Sequence, residues 1–312
     1  MSGTLIVFQN RNLFLPMVIL DGKSASQKIK DELKDRVSNL PTGSRVPHLA
    51  AILVGTNGAS ETYVASKIRS CAEVGFQSSM IRLEESVAED FLLQKISELN
   101  NDQGVDGILV QLPLPKQISE EKVINAIDPA KDVDGFHPFN IGKLVQGYPT
   151  FISATPYGIL LLLKHYGIGT KGKHAVVIGR SNIVGRPISI LLSANRDYGN
   201  CTVTVCHSHT ANLNEISLQA DILICALGRP GFVEANMVKP GAVVVDVGIT
   251  RVEDASAKKG YRIQGDVKFE EVAPKSSAIT PVPGGVGVMT IAALLENTFH
   301  AYLQREKFAT TN

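Results

Sequence analysis

The chain has 312 residues, of which 44% are hydrophobic and 20% are charged, and its formal net charge at pH 7 is +1. This composition argues against a disordered chain and fits one large or two medium globular domains with full cores. The near-zero charge leaves no excess of cations to neutralise phosphates, so we predict small-molecule substrates and no nucleic-acid partner.

The first apolar segment, residues 13–20, partly resembles a signal peptide. It contains Pro16, lacks a small-residue cleavage pattern and leads into a turn at residues 21–23. We therefore interpret Met17 as the natural start and expect the removal of residues 1–16 to change little. No other run approaches the roughly 20 apolar residues that cross a bilayer, so we predict a cytoplasmic protein without a membrane partner.

From residue 21 onward, segments of helical periodicity alternate with short apolar strands, which predicts a first α/β domain. The second helix is predicted to stop at Gly75, which readily forms a left-handed cap, and Ser119 is a typical N-cap. The predicted helices cover residues 24–37 and 61–74, a segment between the last two strands, and a segment from Ser119 that ends before Asp128. The predicted strands cover residues 48–54, 76–83 and 107–111.

Residues 131–156 are rich in Gly, Pro and Asp, which predicts an irregular connection to a second domain. Beyond it, near-continuous apolar strands indicate a parallel sheet that is covered on both faces. We expect the last helix, residues 286–305, to cross back, so that the first domain comprises residues 17–155 and about 288–308, and the second comprises 156–287. The predicted helices of the second domain cover residues 158–166 and a segment from Pro187, and its strands cover residues 175–178, 202–206, 222–226 and 243–247.

The four cysteines, Cys71, Cys201, Cys206 and Cys225, form no CxxC pair and have no histidine at metal-ligand spacing. Three of them lie in apolar, strand-like runs. We interpret all four as buried, reduced thiols, which are typical of cytoplasmic proteins, rather than as zinc ligands or disulfides.

A glycine-rich loop within residues 174–187 connects a strand to a helix, which is the context of a dinucleotide-binding turn. Gly179 and Gly185 are two of the usual glycines, whereas Ser181 stands where a further glycine would let a pyrophosphate approach closely. A loop of this kind can also form a tight turn without a ligand. The complete order of strand, turn and helix favours the binding site.

The end of the next strand, residues 206–210, reads CHSHT and contains no acidic residue to bind a ribose 2′-hydroxyl. Arg180 in the preceding loop can pair with a 2′-phosphate, so the site favours NADP over NAD. His207 and His209 could instead form a metal pair, but no Asp, Glu or Cys follows at ligand spacing, and we predict no metal.

Three polar residues of the first domain are candidates for a reacting site. Tyr63 and Lys67 lie at i and i+4 of a predicted helix, so both project from one face, although such a pair is also common on exposed surfaces. Gln111 ends a strand at the edge where open α/β sheets bind ligands, and Asp134 follows in the connection.

Five motifs follow one another in order along the chain: Tyr63-x-x-x-Lys67, VQLPLP at 110–115, KDVDG at 131–135, GRSNIVG at 179–185 and TPVPGGVG at 280–287. With these motifs the chain resembles the methylene-tetrahydrofolate dehydrogenase/cyclohydrolase family, from residue 21 to the last helix. The resemblance implies two α/β domains, the second a Rossmann-like NADP-binding parallel sheet, with an active-site cleft between them, and it suggests a homodimer.

The resemblance implies that NADP oxidises methylene-tetrahydrofolate to the methenyl form, which is then hydrolysed to formyl-tetrahydrofolate. Lys67 would be the acid/base group, held near neutrality by burial and by Gln111. Tyr63 would lie against the aromatic body of the folate, and Asp134 would accept hydrogen bonds from the pterin edge. The other implied substrate-binding residues are Val110, Leu112, Pro281, Val282, Pro283, Gly284 and Gly285. The implied cofactor-binding residues are Thr155, Gly179, Arg180, Ser181, Ser208, Ile249 and Thr290.

Three positions depart from the pattern of the family, since Ala154, Tyr157 and Val288 replace a common Cys, Lys and Pro. None of them removes a proposed catalytic group. One alternative is another two-domain NADP dehydrogenase that resembles shikimate dehydrogenase, which leaves Gln111 and Asp134 unexplained. A second alternative is a non-catalytic dinucleotide sensor, against which the presence of Lys67 argues.

Overall fold

The computed structural model describes residues 17–56, 58–257 and 260–310, which form two parallel sheets with helices on their faces. The helices are α1 (Gly22–Ser38), α2 (Gly58–Glu73), α3 (Glu89–Asn101), α4 (Glu120–Ala126), α5 (Pro138–Gln146), α6 (Ala154–His165), α7 (Gly185–Ser193), α8 (Leu213–Ser217), α9 (Phe269–Val272) and α10 (Val286–Thr310). The strands are β1 (Val18–Ile19), β2 (His48–Val54), β3 (Gln77–Leu83), β4 (Gly107–Val110), β5 (His174–Ile178), β6 (Thr202–Cys206), β7 (Ile222–Cys225), β8 (Val243–Asp246), β9 (Thr250–Glu253), β10 (Tyr261–Gln264) and β11 (Ala278–Ile279).

The first sheet has the order β3-β2-β4, and its central strand β2 pairs in parallel with both neighbours. Residues 49–54 of β2 are buried because helices cover both faces of this sheet. A continuous apolar run is what a doubly covered strand requires, and the strand predicted over residues 48–54 is confirmed in full.

The second sheet has the order β1-β11-β8-β7-β5-β6, with every adjacent pair parallel. The chain leaves β5 for β6 on one side and then returns to β7 on the other side. The carboxyl ends of β5 and β7 therefore flank a topological switch point, where open α/β sheets bind ligands. The predicted α/β fold with a second, parallel sheet is confirmed.

Two predicted helix caps are also confirmed. Gly75 follows α2 with φ of +82°, and its N–H donates to the carbonyl of Ala72 at 3.2 Å. The Oγ of Ser119 accepts from the N–H of Lys122 at 3.3 Å, at the start of α4. These side chains and turns satisfy backbone groups that the helix ends leave unpaired.

The prediction of an irregular connection over residues 131–156 is wrong, because that segment contains α5 and the first turn of α6. His137 caps α5 by accepting the N–H of Phe139 at 3.0 Å, and Pro138 is its first residue. Gly147 ends it with φ of +75°. The His, Pro and Gly residues are thus signals of helix ends, and a helix of nine residues is too short to show clear periodicity.

The last helix, α10, packs against the first sheet. Leu294, Phe299 and Tyr302 of α10 are buried in the same core cluster as Leu49 and Leu53 of β2. The antiparallel hairpin of β9 and β10 and the short strands β1 and β11 are further elements that the sequence pattern did not predict.

Within the described ranges, none of the helices is both long and apolar enough to cross a membrane.

Candidate active site

Lys67 lies in the interior of the first domain rather than on an exposed helix face. Its residue is only 5% exposed, and its Nζ donates to Oε1 of Gln111 at 3.2 Å. The same Nζ lies 5.4 Å from the ring centroid of Tyr63, one helical turn earlier. Burial lowers the pKa of Lys67 from its ordinary value, and the nearby charge of Asp134 partly opposes that change.

The end of β4 fixes the position of Gln111. Its backbone N–H donates to the carbonyl of Ile52 on the adjacent strand at 3.0 Å. Its side-chain Nε2 donates to the carbonyl of Leu112 at 2.7 Å, which leaves Oε1 directed at Lys67. The amide orientation is therefore set by two independent hydrogen bonds.

Asp134 supplies the negative charge of the site. Burial raises the pKa of its carboxyl to about 6, while the charge of Lys67 lowers it. Asp134 also lines a narrow crevice together with Val110, Leu112 and Phe136. An acceptor-rich group at this depth suits a ligand edge that presents N–H donors.

The neighbouring charged residues of the same motif are structural. The Nζ of Lys131 donates to the carbonyls of Leu99 and Asp102, each at 2.7 Å, at the end of α3. The carboxylate of Asp132 accepts the N–H of His137 at 2.8 Å. Asp132 also lines the crevice, but its carboxylate oxygens already accept backbone N–H groups, whereas Asp134 lies beside Lys67.

Tyr63 connects the reacting groups to a cavity of about 220 Å³ between the two domains. Its hydroxyl donates to the carbonyl of Gly287 at 3.0 Å, at the start of α10, and burial raises its pKa. The predicted residues that this cavity brings together are Tyr63, Ile249, Pro281, Val282, Pro283, Gly284 and Gly285. Other lining residues, which the sequence pattern did not indicate, include Thr62, Ser66, Asp246, Ile263 and Ile291.

Thr155 and Thr290, both predicted to contact the cofactor, lie together. Their hydroxyl oxygens are 3.1 Å apart, which joins the first turn of α6 to the second turn of α10. Burial raises the pKa of Tyr63, and the nearby hydroxyl of Thr290 partly opposes that rise. Gly287 and Ile291, on either side of Thr290 in the sequence, line the cavity, so the two threonines lie close to it.

The predicted dinucleotide-binding turn is compact. A Cβ atom on Gly185 would lie 2.2 Å from the carbonyl oxygen of Gly179, so only glycine allows this packing. The Oγ of Ser181 accepts the N–H groups of Val184 at 3.2 Å and Gly185 at 3.3 Å. Its hydroxyl thus stabilises the turn and the start of α7.

The ends of β5 and β6 bring Arg180, His207, Ser208 and His209 into one region. The two strands pair in parallel as far as Ile178 and Cys206, and Arg180 and Ser208 are exposed. Burial, followed by the charges of Arg180 and His209, lowers the pKa of His207. The arrangement is suited to a phosphate group. Across the described residues, no group of three or more His, Cys, Asp or Glu side chains is placed to hold a metal ion.

Two family models match the chain. Residues 20–134 match "Tetrahydrofolate dehydrogenase/cyclohydrolase, catalytic domain", and residues 153–306 match "Tetrahydrofolate dehydrogenase/cyclohydrolase, NAD(P)-binding domain". The chain is also 59% identical over 284 residues to the "Bifunctional protein FolD" of Porphyromonas gingivalis, which covers 91% of this chain and 96% of that protein.

The chain is also similar to solved structures of enzymes with the same two activities. The bifunctional enzyme FolD, a methylenetetrahydrofolate dehydrogenase/cyclohydrolase from Campylobacter jejuni, is 49% identical with a TM-score of 0.87, covering 93% of this chain and 99% of that one. The Trypanosoma brucei enzyme, complexed with NADP cofactor and inhibitor, is 36% identical with a TM-score of 0.88, covering 92% and 98%. A Thermus thermophilus shikimate 5-dehydrogenase, at 16% identity and a TM-score of 0.50, shares the fold alone.

Proposed function

Because the chain belongs to the tetrahydrofolate dehydrogenase/cyclohydrolase family, we propose that a single pocket around Lys67 serves both of its reactions. The protein is a bifunctional enzyme that oxidises methylene-tetrahydrofolate to the methenyl form with NADP and hydrolyses that product to formyl-tetrahydrofolate. The observation that carries the proposal is the buried Nζ of Lys67, within hydrogen-bond distance of Gln111.

Residues of the second domain, together with Thr155 and Thr290 of the first, fit an NADP molecule. The compact turn from Gly179 to Gly185 and the start of α7 would hold the pyrophosphate, and Arg180 and Ser208 would hold the 2′-phosphate. Thr155, Thr290 and Ile249 would contact the nicotinamide side. When bound, NADP supplies the hydride acceptor for the oxidation.

The hydrolysis depends on the residues of the first domain. Neutral Lys67 would take a proton at Nζ as water attacks the methenyl carbon, and would return one to the departing ring nitrogen. Gln111 accepts a hydrogen bond from Nζ and so holds it in place. Asp134 would accept hydrogen bonds from the pterin edge, and the ring of Tyr63 would pack against the folate's aromatic body.

The function is tested by following the absorbance of methenyl-tetrahydrofolate. With methylene-tetrahydrofolate and NADP, the enzyme should first produce the methenyl form and then consume it as formyl-tetrahydrofolate accumulates. The shikimate dehydrogenase and sensor alternatives both require the absence of any methenyl signal, so that absence would reject the proposal.

Arg180 should determine the preference for NADP over NAD. Hydrogen bonds to charged groups contribute about 1.5–3 kcal/mol, so we expect Arg180→Ala to weaken NADP binding by that amount and to leave NAD binding nearly unchanged. Isothermal titration with each cofactor measures both affinities. Arg196→Ala, in the loop between α7 and β6, is a control that removes the same charge at the opposite ends of the strands. Equal use of NADP and NAD by the unmodified enzyme would contradict this role.

We further propose that the protein is a cytoplasmic homodimer. The first domain of each chain would comprise residues 17–155 together with about 288–308, and the second domain would comprise residues 156–287. Four buried, free cysteines support a reducing compartment. Val205 is 39% exposed on β6, an edge strand of the six-stranded sheet, and such an edge can pair with a second copy. Light scattering should therefore give the mass of two chains.

A further inference from the structure

Asp266 is fully buried and holds the loop that follows β7. Its Oδ2 accepts the N–H groups of Leu227 at 2.6 Å and Gly228 at 3.0 Å, and its Oδ1 accepts that of Arg229 at 2.8 Å. Three consecutive backbone donors therefore converge on one carboxylate. Since a carboxylate has only acceptor sites, it can satisfy all three, which an amide cannot.

A second buried carboxylate, Asp246 at the end of β8, fixes the peptide that carries Asp266. The Oδ1 of Asp246 accepts the N–H groups of Gly248 and Asp266, each at 2.9 Å, and its Oδ2 accepts that of Val267 at 2.9 Å. The loops after β7, β8 and β10 are thus connected through two side chains.

Two glycines make this arrangement possible. A Cβ atom on Gly265 would lie 2.0 Å from Oδ2 of Asp246, and one on Gly248 would lie 2.5 Å from Oδ1 of Asp266. The backbone therefore passes directly over both carboxylates, at a distance that excludes any side chain. Because the backbone is so close, the two carboxylates have little room to rotate away from their N–H donors.

The loop at residues 227–229 faces the switch point of the six-stranded sheet. It follows β7, whose residue Cys225 pairs with Ile178 of β5, and the glycine-rich turn begins directly after β5. A Cβ on Gly179 would lie 2.1 Å from the carbonyl oxygen of Ala226, so the turn packs against the residue directly before this loop. By the strand order, the two segments follow the strands that flank the switch point, where such sheets bind ligands.

We propose that Asp266 is a positioning residue for the dinucleotide, which holds residues 227–229 in their binding conformation before the cofactor arrives. Asp246 in turn fixes the backbone of Asp266. The carboxylate acts only through the loop, so the cofactor affinity depends on it although it does not touch the cofactor. This inference rests on the proposed function, since it assumes that the crevice receives NADP.

The test is Asp266→Asn, which keeps the size of the side chain but directs an NH₂ group at a backbone donor. We expect the Kd and the KM for NADP to rise about tenfold or more, with the dehydrogenase kcat within twofold. Cyclohydrolase activity needs no hydride acceptor and, measured without NADP, should stay within twofold. Asp221→Asn is the matched control, because Asp221 accepts the N–H of His174 at 2.9 Å at the opposite edge of the same sheet. It should leave the Kd for NADP unchanged.

An unchanged Kd for NADP in Asp266→Asn would overturn the inference, and so would a parallel loss of cyclohydrolase activity, which indicates general damage. If the variant does not fold, hydrogen exchange of the unmodified enzyme tests whether the loop is preformed. The N–H groups of residues 227–229 should already be protected without NADP. Protection that arises only when NADP is added would refute a preformed loop. An unmodified enzyme that binds no NADP would instead overturn the proposed function.

Discussion

Replacing Lys67 with methionine should reduce cyclohydrolase activity by about 10²–10⁴-fold, the usual contribution of general acid–base catalysis. Methionine keeps the length and the apolar contacts of the lysine stem but cannot carry a proton. The hydrolysis needs a base when water attacks and an acid when the ring nitrogen leaves, whereas hydride transfer needs no proton acceptor. We therefore expect dehydrogenase activity to fall less and to remain measurable.

Both activities should be assayed on one folded preparation of the Lys67→Met variant, with NADP binding measured separately. Lys122→Met is a suitable control, because Lys122 belongs to the same domain and its side chain is 65% exposed. Hydrolysis of methenyl-tetrahydrofolate by Lys67→Met at the unmodified rate would show that another group transfers the protons.

The pH profile gives a second measurement of the same role. Burial lowers the pKa of Lys67, so its neutral form is present at a lower pH than for an exposed lysine. Cyclohydrolase activity should thus rise with pH and reach its plateau below the ordinary lysine pKa of about 10.4. That rise should disappear in Lys67→Met.

The long apolar strands could be predicted from sequence because both faces of each sheet are covered. The predicted bounds of β2 and β6 agree with the structure. The helix α5 could not be predicted, since its Pro and Gly residues read as loop signals until its caps are seen. The strand β1 has only two residues and pairs with β11, about 260 positions later, a partner that no local pattern indicates.

The sequence could indicate which residues react, but it could not show that they are buried or what they contact. Tyr63 and Lys67 have a spacing that exposed helices share, and their burial comes from segments far along the chain. The hydroxyl of Tyr63, for example, bonds Gly287, 224 positions away. Asp246 and Asp266 were missed because their partners are backbone N–H groups, which carry no side-chain signature. An acidic residue at the end of a buried strand is the signal that could have identified Asp246.

A Gly179→Ala variant should lose most NADP binding and dehydrogenase activity while it retains cyclohydrolase activity. Gly179 has φ of +129°, a conformation that other residues rarely adopt, and the added Cβ would lie 2.1 Å from the carbonyl oxygen of Ala226. Backbone strain of this kind costs about 1–3 kcal/mol, or about 5–150-fold in an equilibrium constant, and the contact with Ala226 adds to it. The turn must therefore move away from the loop after β7.

Gly172→Ala is the control for backbone strain, because it also places an alanine at positive φ but creates no close contact. Gly172 precedes β5 in the same domain with φ of +74°, but no atom lies within 4 Å of the added Cβ. We expect this control to lower the thermal stability somewhat and to leave the Kd for NADP within about twofold. Because hydrolysis depends on Lys67 and Gln111 in the first domain, cyclohydrolase activity without NADP should survive in both variants. Unchanged NADP binding by Gly179→Ala would show that this turn does not hold the cofactor, and the dinucleotide site would have to be placed elsewhere along the sheet edge.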